Sequence, residues 1–265
     1  MFCTIYILTA VTLEKEGDIN RIQKAYEALT ENQKKQVTNK DILDQANEHL
    51  EEIRTAVTEG EKVAELLAEG FMNRDSYQIK QIISAEMLGE SGEEAIDDIM
   101  ILFSKEVWIQ LLVEELFNGE VAYKDLNYFG RQAIDRIAES YVSALLFTRY
   151  EVNNVRYIDG KVLAEVVLFM KYNSGIQVDI GELIDNDMTD YVEQNKSWLQ
   201  YSMYGKSEKE IVIEVFNLVA ISNADAWVRE VQKLGSGEKE TSITQMVQVE
   251  ETNDGWKITN MELEW

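Results

Sequence analysis

The sequence predicts an α+β protein in which a short helical module comes first and an antiparallel sheet packed on helices follows. Three observations lead to this class. Apolar residues recur at helical spacing over most of the first half of the chain. Two turn signals, Asp159-Gly160 and Asn253-Asp254-Gly255, each separate two runs rich in β-branched and aromatic residues, as in β-hairpins. The hydrophobic fraction of 45% is sufficient for a folded core.

The N-terminal part has the pattern of three helices. The first apolar stripe at helical spacing consists of Ile19, Ile22, Tyr26 and Leu29. Thr30 followed by Gln33 is a capping-box pattern, which predicts that a short second helix begins there. The third stripe consists of Ile42, Ala46, Leu50, Ile53 and Val57. Such a packet is too thin to enclose a substrate pocket, so its natural use is as a spacer.

A domain boundary is predicted near Thr58-Glu59-Gly60. Residues 1–58 carry a net charge of −3 and the remaining residues carry −21, and this asymmetry indicates two units. Thr58 with Glu61 is a further capping-box pattern, which predicts a new helix over residues 59–72. The predicted domains are therefore a helical spacer, 1–58, and an α+β domain, 59–265.

Further helices are predicted ahead of the first hairpin. Their apolar stripes run from Ile79 to Ile83, from Ile96 to Leu111 and from Ile134 to Leu145. A short strand over Val121 to Tyr128 is also predicted between the last two of these helices.

Two hairpins predict a curved antiparallel sheet. The first joins Tyr150–Ile158 to Lys161–Tyr172, and the second joins Ser242–Glu250 to Gly255–Leu263. Alternate residues of the strand after Asp159-Gly160 are all apolar, so this face should pack on a core. They are Val162, Ala164, Val166, Leu168 and Met170.

A helical insertion, about 181–234, is predicted between the hairpins. Residues 181–204 have a helical pattern, and Ser207 with Glu210 predicts the start of another helix that ends at Gly235-Ser236-Gly237. Residues 211–219 are rich in β-branched side chains, so a strand remains an alternative there.

The N-terminal module carries a resemblance. Its carriers are Ala10 to Glu14, then the run from Ala25 to Asn39 with the sequence AYEALTENQKKQVTN, then Leu43 and Ala46. These residues are similar to the small helical modules repeated in secreted and wall-attached proteins of Gram-positive anaerobes. The resemblance implies an exported protein, extracellular or on the cell surface. The apolar start from Met1 to Ala10 has no basic region ahead of it and is a poor signal peptide.

The order of elements and two short motifs carry a second resemblance. The motifs are YIDGKVLAEVVLF, Tyr157 to Phe169, and the closing DGWKI, Asp254 to Ile258. Helices followed by such hairpins look like the nuclear transport factor 2-like fold, also called cystatin-like, which bacterial lipoproteins and surface proteins often carry. The resemblance implies a cone-shaped domain with a curved sheet, enlarged here by the insertion.

Composition excludes several classes of function. The 49 acidic and 25 basic residues give a formal charge of −24, which disfavours nucleic-acid phosphates and anionic membranes. One Cys and one His cannot complete a tetrahedral zinc site. The acidic cluster Asp185, Asp187 and Asp190 lacks the pattern of a calcium loop. We therefore predict no metal ligands, no cofactor, no nucleic-acid partner and no transmembrane segment.

Aromatic side chains are the candidates to line a cavity in the cone. We predict Tyr141, Tyr157, Phe169 and Trp256 as ligand-binding residues, Trp256 because the terminal strand of such cones commonly lines the concave side. The same side chains have a second explanation as core packing.

The sequence thus favours a non-enzymatic exported or cell-surface protein whose cone binds a small apolar ligand or a protein partner. No catalytic residue is predicted, and the only imidazole, His49, lies in the spacer. One alternative is an isomerase- or hydratase-like enzyme with a phenol and a carboxylate inside the cone. Its candidates are Tyr123, Tyr141, Tyr157 and Tyr172 with Glu165 or Asp159. The other alternative is a purely structural module with a filled core.

Overall fold

A computed structural model of the chain describes residues 11–173, 175–237 and 239–261. The predictions on the first ten residues and on the final strand beyond Met261 fall outside these ranges. Within them, helices precede a sheet, as predicted for the α+β class. The helices are α1 (Glu16–Glu27), α2 (Glu31–Lys34), α3 (Lys40–Asn73), α4 (Ser76–Ile82), α5 (Ala85–Ile101), α6 (Lys105–Phe117), α7 (Tyr128–Ala144), α8 (Ile180–Gln194), α9 (Lys196–Ser202) and α10 (Glu208–Gln232). The strands are β1 (Phe147–Ile158), β2 (Lys161–Met170), β3 (Thr241–Thr252) and β4 (Gly255–Met261).

The helix start predicted at Thr58 and Glu61 is wrong, because α3 is one helix of 34 residues that runs through Thr58-Glu59-Gly60. Inside a helix the amide groups already bond to carbonyls one turn earlier, so the Thr58 and Glu61 side chains have no helix start to cap. The apolar contacts do change along α3. Its first half packs with α1 around Ile19, Leu43, Ala46 and Leu50, and its second half packs on the sheet.

The second half of α3 approaches the sheet through a row of small residues. Ala56, Gly60, Ala64 and Ala68 recur every four residues and are all buried, so they lie on one face of the helix. A Cβ at Gly60 would lie 2.5 Å from Cγ1 of Val162 on β2. The predicted apolar face of β2 forms this core as expected. Its residues Val162, Ala164, Val166 and Leu168 are completely buried.

The four strands form one open antiparallel sheet in the order β1-β2-β3-β4. The predicted turn at Asp159-Gly160 is confirmed, since Ile158 pairs with Lys161 and both turn residues have positive φ, 51° and 84°. The second hairpin turns at Asn253-Asp254, with Thr252 paired to Gly255. These turns match the right-handed twist of the strands.

Both edges of the sheet are interrupted. β1 has a register shift between Asn153 and Arg156, where Asn154 has a φ of 52°. On β4, the carbonyl of Ile258 accepts a hydrogen bond from the Ser84 amide, at 2.8 Å, just before α5 begins. A bulge and a covered edge both hinder pairing with a further strand.

The predicted insertion is present and forms a second core with the helices that precede β1. Residues 211–219 lie in α10 and not in a strand, and Ser207 with Glu210 forms the predicted capping box. α7 and α10 run parallel, because contacts between them advance in step along both helices. Gly130 meets Asn217, Arg136 pairs with Asp225 at 2.6 Å, and Ala144 meets Gly235.

α10 is apolar enough to resemble a membrane span by composition. Over Glu208–Gly235 a window has a mean hydropathy of 1.5. Length and composition alone are weak grounds for a span, since core helices pass the same test. Phe216, Val219, Trp227 and Val231 of this helix are buried in the second core, so we treat α10 as a core helix.

Both ends of the insertion are held close to the sheet. The Asn173 amide donates to the Leu234 carbonyl at 2.7 Å, and the Gly237 amide donates to the Lys171 carbonyl at 3.2 Å. Tyr172 packs against both cores. The insertion therefore leaves and re-enters the sheet at one place.

Three smaller predictions also need correction. The stripe predicted as one helix, Ile96 to Leu111, is divided between α5 and α6 by residues 102–104, and the helix predicted over 181–204 is divided at Asn195. Residues 123–125 form a 3-10 turn in place of the strand predicted over Val121 to Tyr128. An apolar stripe continues across such breaks, so periodicity alone cannot place them.

We predict that Gly60→Ala lowers the free energy of unfolding by about 1–3 kcal/mol, because its Cβ would displace the stiff, β-branched Val162. The matched control is Gly17→Ala in α1, where a Cβ would meet no atom within 4 Å. That change should leave stability unchanged or raise it by up to about 1 kcal/mol. Urea denaturation followed by circular dichroism measures both. Equal effects of the two substitutions would contradict the close approach of α3 to β2.

Candidate functional site

The four predicted ligand-binding residues lie in three different places. Tyr157 on β1 and Trp256 on β4 are half-buried against the sheet core, on the face that α3 covers. Phe169 lies on the opposite face, where the Arg149 guanidinium is 3.5 Å from its ring centroid. Tyr141 belongs to α7 and the second core. The structure does not bring these residues together into one cavity.

The residues of the enzyme alternative are also separated. Glu165 accepts a hydrogen bond from Asn154, and Asp159 is in the β1–β2 turn. The Tyr123 hydroxyl donates to Asp135, at 2.8 Å, but both belong to the helices around α7 and not to the sheet. Burial, followed by the Asp135 carboxylate, raises the pKa of Tyr123 to about 12. This phenol–carboxylate pair therefore lies away from the sheet, whereas the isomerase- or hydratase-like alternative places the pair inside the cone that the sheet forms.

The predicted acidic cluster on α8 does not converge. Asp187 accepts a hydrogen bond from the indole Nε1 of Trp227, at 2.6 Å, and so joins α8 to α10. Asp185 and Asp190 are exposed on the same helix. Across the described parts of the chain, no group of three or more His, Cys, Asp or Glu side chains is arranged to hold a metal ion.

The surface that stands out is a groove along α8, between α6 and α10. We call it the α8 groove, and it has an acidic end and an apolar end. The acidic end encloses about 750 Å³. Six acidic residues line it together with one base, Lys209, and they are Glu115, Glu120, Asp179, Glu182, Asp185 and Glu208.

Local structure explains some of these acids. Asp179 caps α8 by accepting from the Glu182 amide at 2.8 Å. The Glu115 carboxylate lies beside Gly181, where a Cβ would be 2.8 Å from it. Both carboxylates are thus near the N-terminus of α8, where the helix dipole favours negative charge. Lys209 pairs with Asp125 at 2.9 Å and holds the pKa of that carboxyl below its usual range. Glu182 is in the first turn of α8 and has the same explanation, whereas the exposed Asp185 lies beyond that turn.

The apolar end of the α8 groove adjoins the acidic end and shares three lining residues with it. Asp185, Met188 and Val212 line both the acidic end and a neighbouring cleft of about 370 Å³. Val192, Ile211 and Val215 then continue into a further cleft of about 260 Å³. The last cleft reaches Leu199 and Met203, at α9. The groove is therefore continuous from acidic to apolar along one helix.

Large aromatic side chains are exposed on α9 and directly after it, in the segment that also supplies residues to the apolar end. Trp198 is 50% exposed, Tyr201 87% and Tyr204 91%, although Leu199 and Met203 between them are buried. Val192, in the cleft itself, is 41% exposed. Tyrosine and tryptophan are enriched at protein interfaces because they combine a large apolar area with a polar group.

Sequence reasoning missed most of this site. Trp198 is not among the predicted ligand-binding residues, although half of its side chain is exposed. The spacing of Trp198 and Tyr201 places both on one face of α9, and this was the available signal. The groove itself joins residues from α6, α8 and α10, and no local pattern indicates that these helices meet.

One predicted residue lies close to the groove. Tyr141 stacks on Trp108 with ring centroids 4.4 Å apart. Burial raises the pKa of Tyr141 to about 12, with further contributions from Glu115, Asp179 and Tyr172. Glu115 and Asp179 both line the acidic end, so this phenol lies behind the groove wall.

Comparisons with known proteins add no assignment. No protein-family model matches the chain, and no curated protein or solved structure gives a significant match. The functional interpretation therefore depends on the geometry of the site.

We predict that Tyr141 makes stability fall at high pH. Because its pKa is raised to about 12 in the folded chain, the folded state keeps a proton that the unfolded state loses near pH 10. The free energy of unfolding should therefore decrease as the pH rises from about 10 towards 12. Tyr141→Phe should make this decrease shallower, as measured by urea denaturation at a series of pH values. Phe129→Leu, a substitution on α7 that removes no phenol, should leave the slope as it is in the unsubstituted chain.

Proposed function

We propose that this protein is a non-enzymatic binding module that holds a protein partner in the α8 groove. The supporting observation is an open groove whose apolar end reaches α9, a segment with exposed aromatic side chains, on a molecule in which α3 covers one face of the sheet. The sheet then serves as a scaffold. The two predicted partner types, a small apolar ligand and a protein, place different demands on the molecule.

A small apolar ligand in the sheet would need space that α3 occupies. Gly60 and Val162 are in such close contact that not even a methyl group fits between them. Val162, Ala164, Val166, Leu168, Val249 and Ile258 are completely buried against the helix. A small-molecule site normally encloses most of its ligand. This packing favours the hypothesis of a protein partner over the hypothesis of a small apolar ligand in the sheet.

The α8 groove is suited to a larger partner. Its apolar lining is open to solvent, and Tyr201 and Tyr204, next in sequence to the lining residues Gln200 and Met203, are 87% and 91% exposed. Such anchors contribute most of the binding energy in many protein complexes. An extended or helical segment of another protein could cover this apolar lining.

The location and the finer fold class belong to the same proposal. The resemblance of the first module to repeated modules of exported proteins supports a cell-surface location. The resemblance of the two hairpins to nuclear transport factor 2-like domains supports a cone-shaped domain with a curved sheet. In this chain α3 would fill the concave side of that sheet. Surface proteolysis of intact cells that express the native protein tests the location, and protection until the cells are lysed would overturn it.

We predict that the neutral apolar dye Nile red binds at the α8 groove. Val192→Glu should reduce the increase in dye fluorescence by about tenfold, because a charge in the cleft is unfavourable for an apolar probe. Ile221→Glu is the matched control, since Ile221 on α10 is likewise an exposed aliphatic residue, is 57% exposed and lines neither cleft.

The same titration distinguishes the sheet from the groove. Trp256→Leu should leave the dye signal unchanged. A signal that persists in Val192→Glu and is lost in Trp256→Leu would instead support a small apolar ligand in the sheet. Thermal unfolding of each variant establishes that it is folded.

A further inference from the structure

We propose that the partner segment is a cationic amphipathic helix, with its apolar face at the apolar end of the α8 groove and its basic residues at the acidic end. This inference rests on the proposed function and adds the chemistry of the partner. It follows from the length of the groove, from its distribution of charge and from the alternatives that the charge excludes.

The groove has the length of a short helix. It follows α8, a helix of 15 residues, which spans about 22 Å at 1.5 Å per residue. A partner helix of about four turns would extend along this length and present a row of side chains every three or four residues. Recognition of an amphipathic helix in an apolar groove is a common mode of peptide binding.

Charge gives the occupant its sign and its direction. The acidic end has six carboxylates and one lysine, and that lysine is already paired with Asp125. Glu193 adds a carboxylate to the neighbouring apolar cleft, which Asp185 also lines. A segment with basic residues in one half and an apolar face in the other would match both parts. Opposite potentials across an interface favour the correct partner and exclude others.

The net charge of the whole chain also favours a cationic partner. A net charge of −24 attracts cationic segments over a distance set by ionic strength. It also disfavours a second copy of this chain, since two such molecules repel each other. Anionic lipid surfaces are disfavoured in the same way. A neutral apolar ligand would gain nothing from the acidic end.

Two synthetic peptides of about 15 residues test the inference. They share one leucine face and differ only in polar residues, which are lysine in one half of the first peptide and glutamate at the same positions in the second. Fluorescence anisotropy of labelled peptide, titrated with the full chain, measures the dissociation constants. We expect the lysine peptide to bind at least about tenfold more tightly than the glutamate peptide, and its affinity to fall with added salt.

Paired variants locate the binding. Glu182→Gln with Asp185→Asn should weaken the lysine peptide about fivefold and reduce its dependence on salt. Glu93→Gln with Glu94→Gln removes the same charge from exposed positions on α5, and should change affinity by less than about twofold. Tyr201→Ala with Tyr204→Ala should weaken binding about tenfold. Tyr77→Ala with Tyr128→Ala, which removes two exposed tyrosines elsewhere, should not.

Val192→Glu separates binding in the groove from non-specific attraction. It adds a negative charge and removes an apolar contact, so binding in the groove predicts weaker affinity for the lysine peptide and non-specific attraction predicts affinity that is equal or higher. If neither peptide binds, the proposed function of the groove fails. If both peptides bind equally and Val192→Glu weakens both, the groove binds a partner but the cationic class is wrong.

Discussion

The close approach of α3 to β2 is the contact on which the rest of the molecule depends. A helix can lie this near a sheet only where its facing side chains are small, and α3 meets this condition at Ala56, Gly60, Ala64 and Ala68. A glycine inside a helix costs about 1 kcal/mol relative to alanine, and here the contact with Val162 offsets that cost. The result is a sheet whose covered face is fully occupied, so that binding surfaces must be sought outside it.

The second core depends on the first for its position and on two polar contacts for its internal geometry. Asn217 of α10 is buried, accepts from the Asn127 amide at 3.2 Å and lies against Gly130 of α7. The bond from Trp227 to Asp187 fixes α8 on α10. A buried polar group is costly unless it is paired, so these contacts favour one arrangement of the helices. The α8 groove is the outer margin of that arrangement.

The sequence allowed prediction of features that are local. The capping boxes at Thr30 and Ser207 and the turn at Asp159-Gly160 are confirmed, because each depends on a few neighbouring residues. The capping-box pattern at Thr58 misled, because its meaning changes inside a continuous helix. Gly60, two residues further on, lies inside α3 and meets Val162, about a hundred positions away in the sequence, and no local pattern indicates such a contact. The strand alternative at residues 211–219 failed for a similar reason, since the burial of α10 between other helices outweighs β-propensity.

The candidate site was less predictable than the fold. The residues predicted to bind a ligand were all aromatic, and their placement needs the tertiary structure. Tyr157 and Trp256 pack on the sheet core, whereas Tyr201 and Tyr204 are almost fully exposed. Periodicity gives the spacing of side chains on a helix and does not state which face meets a neighbour. The meeting of α6, α8 and α10 is a property of the assembled chain.

The interrupted edges of the sheet limit how this molecule can associate. An uninterrupted outer strand is a template onto which another backbone can be added, and repeated addition leads to fibres. Here the kink at Asn154 and the bond from Ser84 to Ile258 disturb that template on both sides. Recognition by main-chain pairing is thereby disfavoured, and other molecules must instead distinguish this protein by the side chains on its helices.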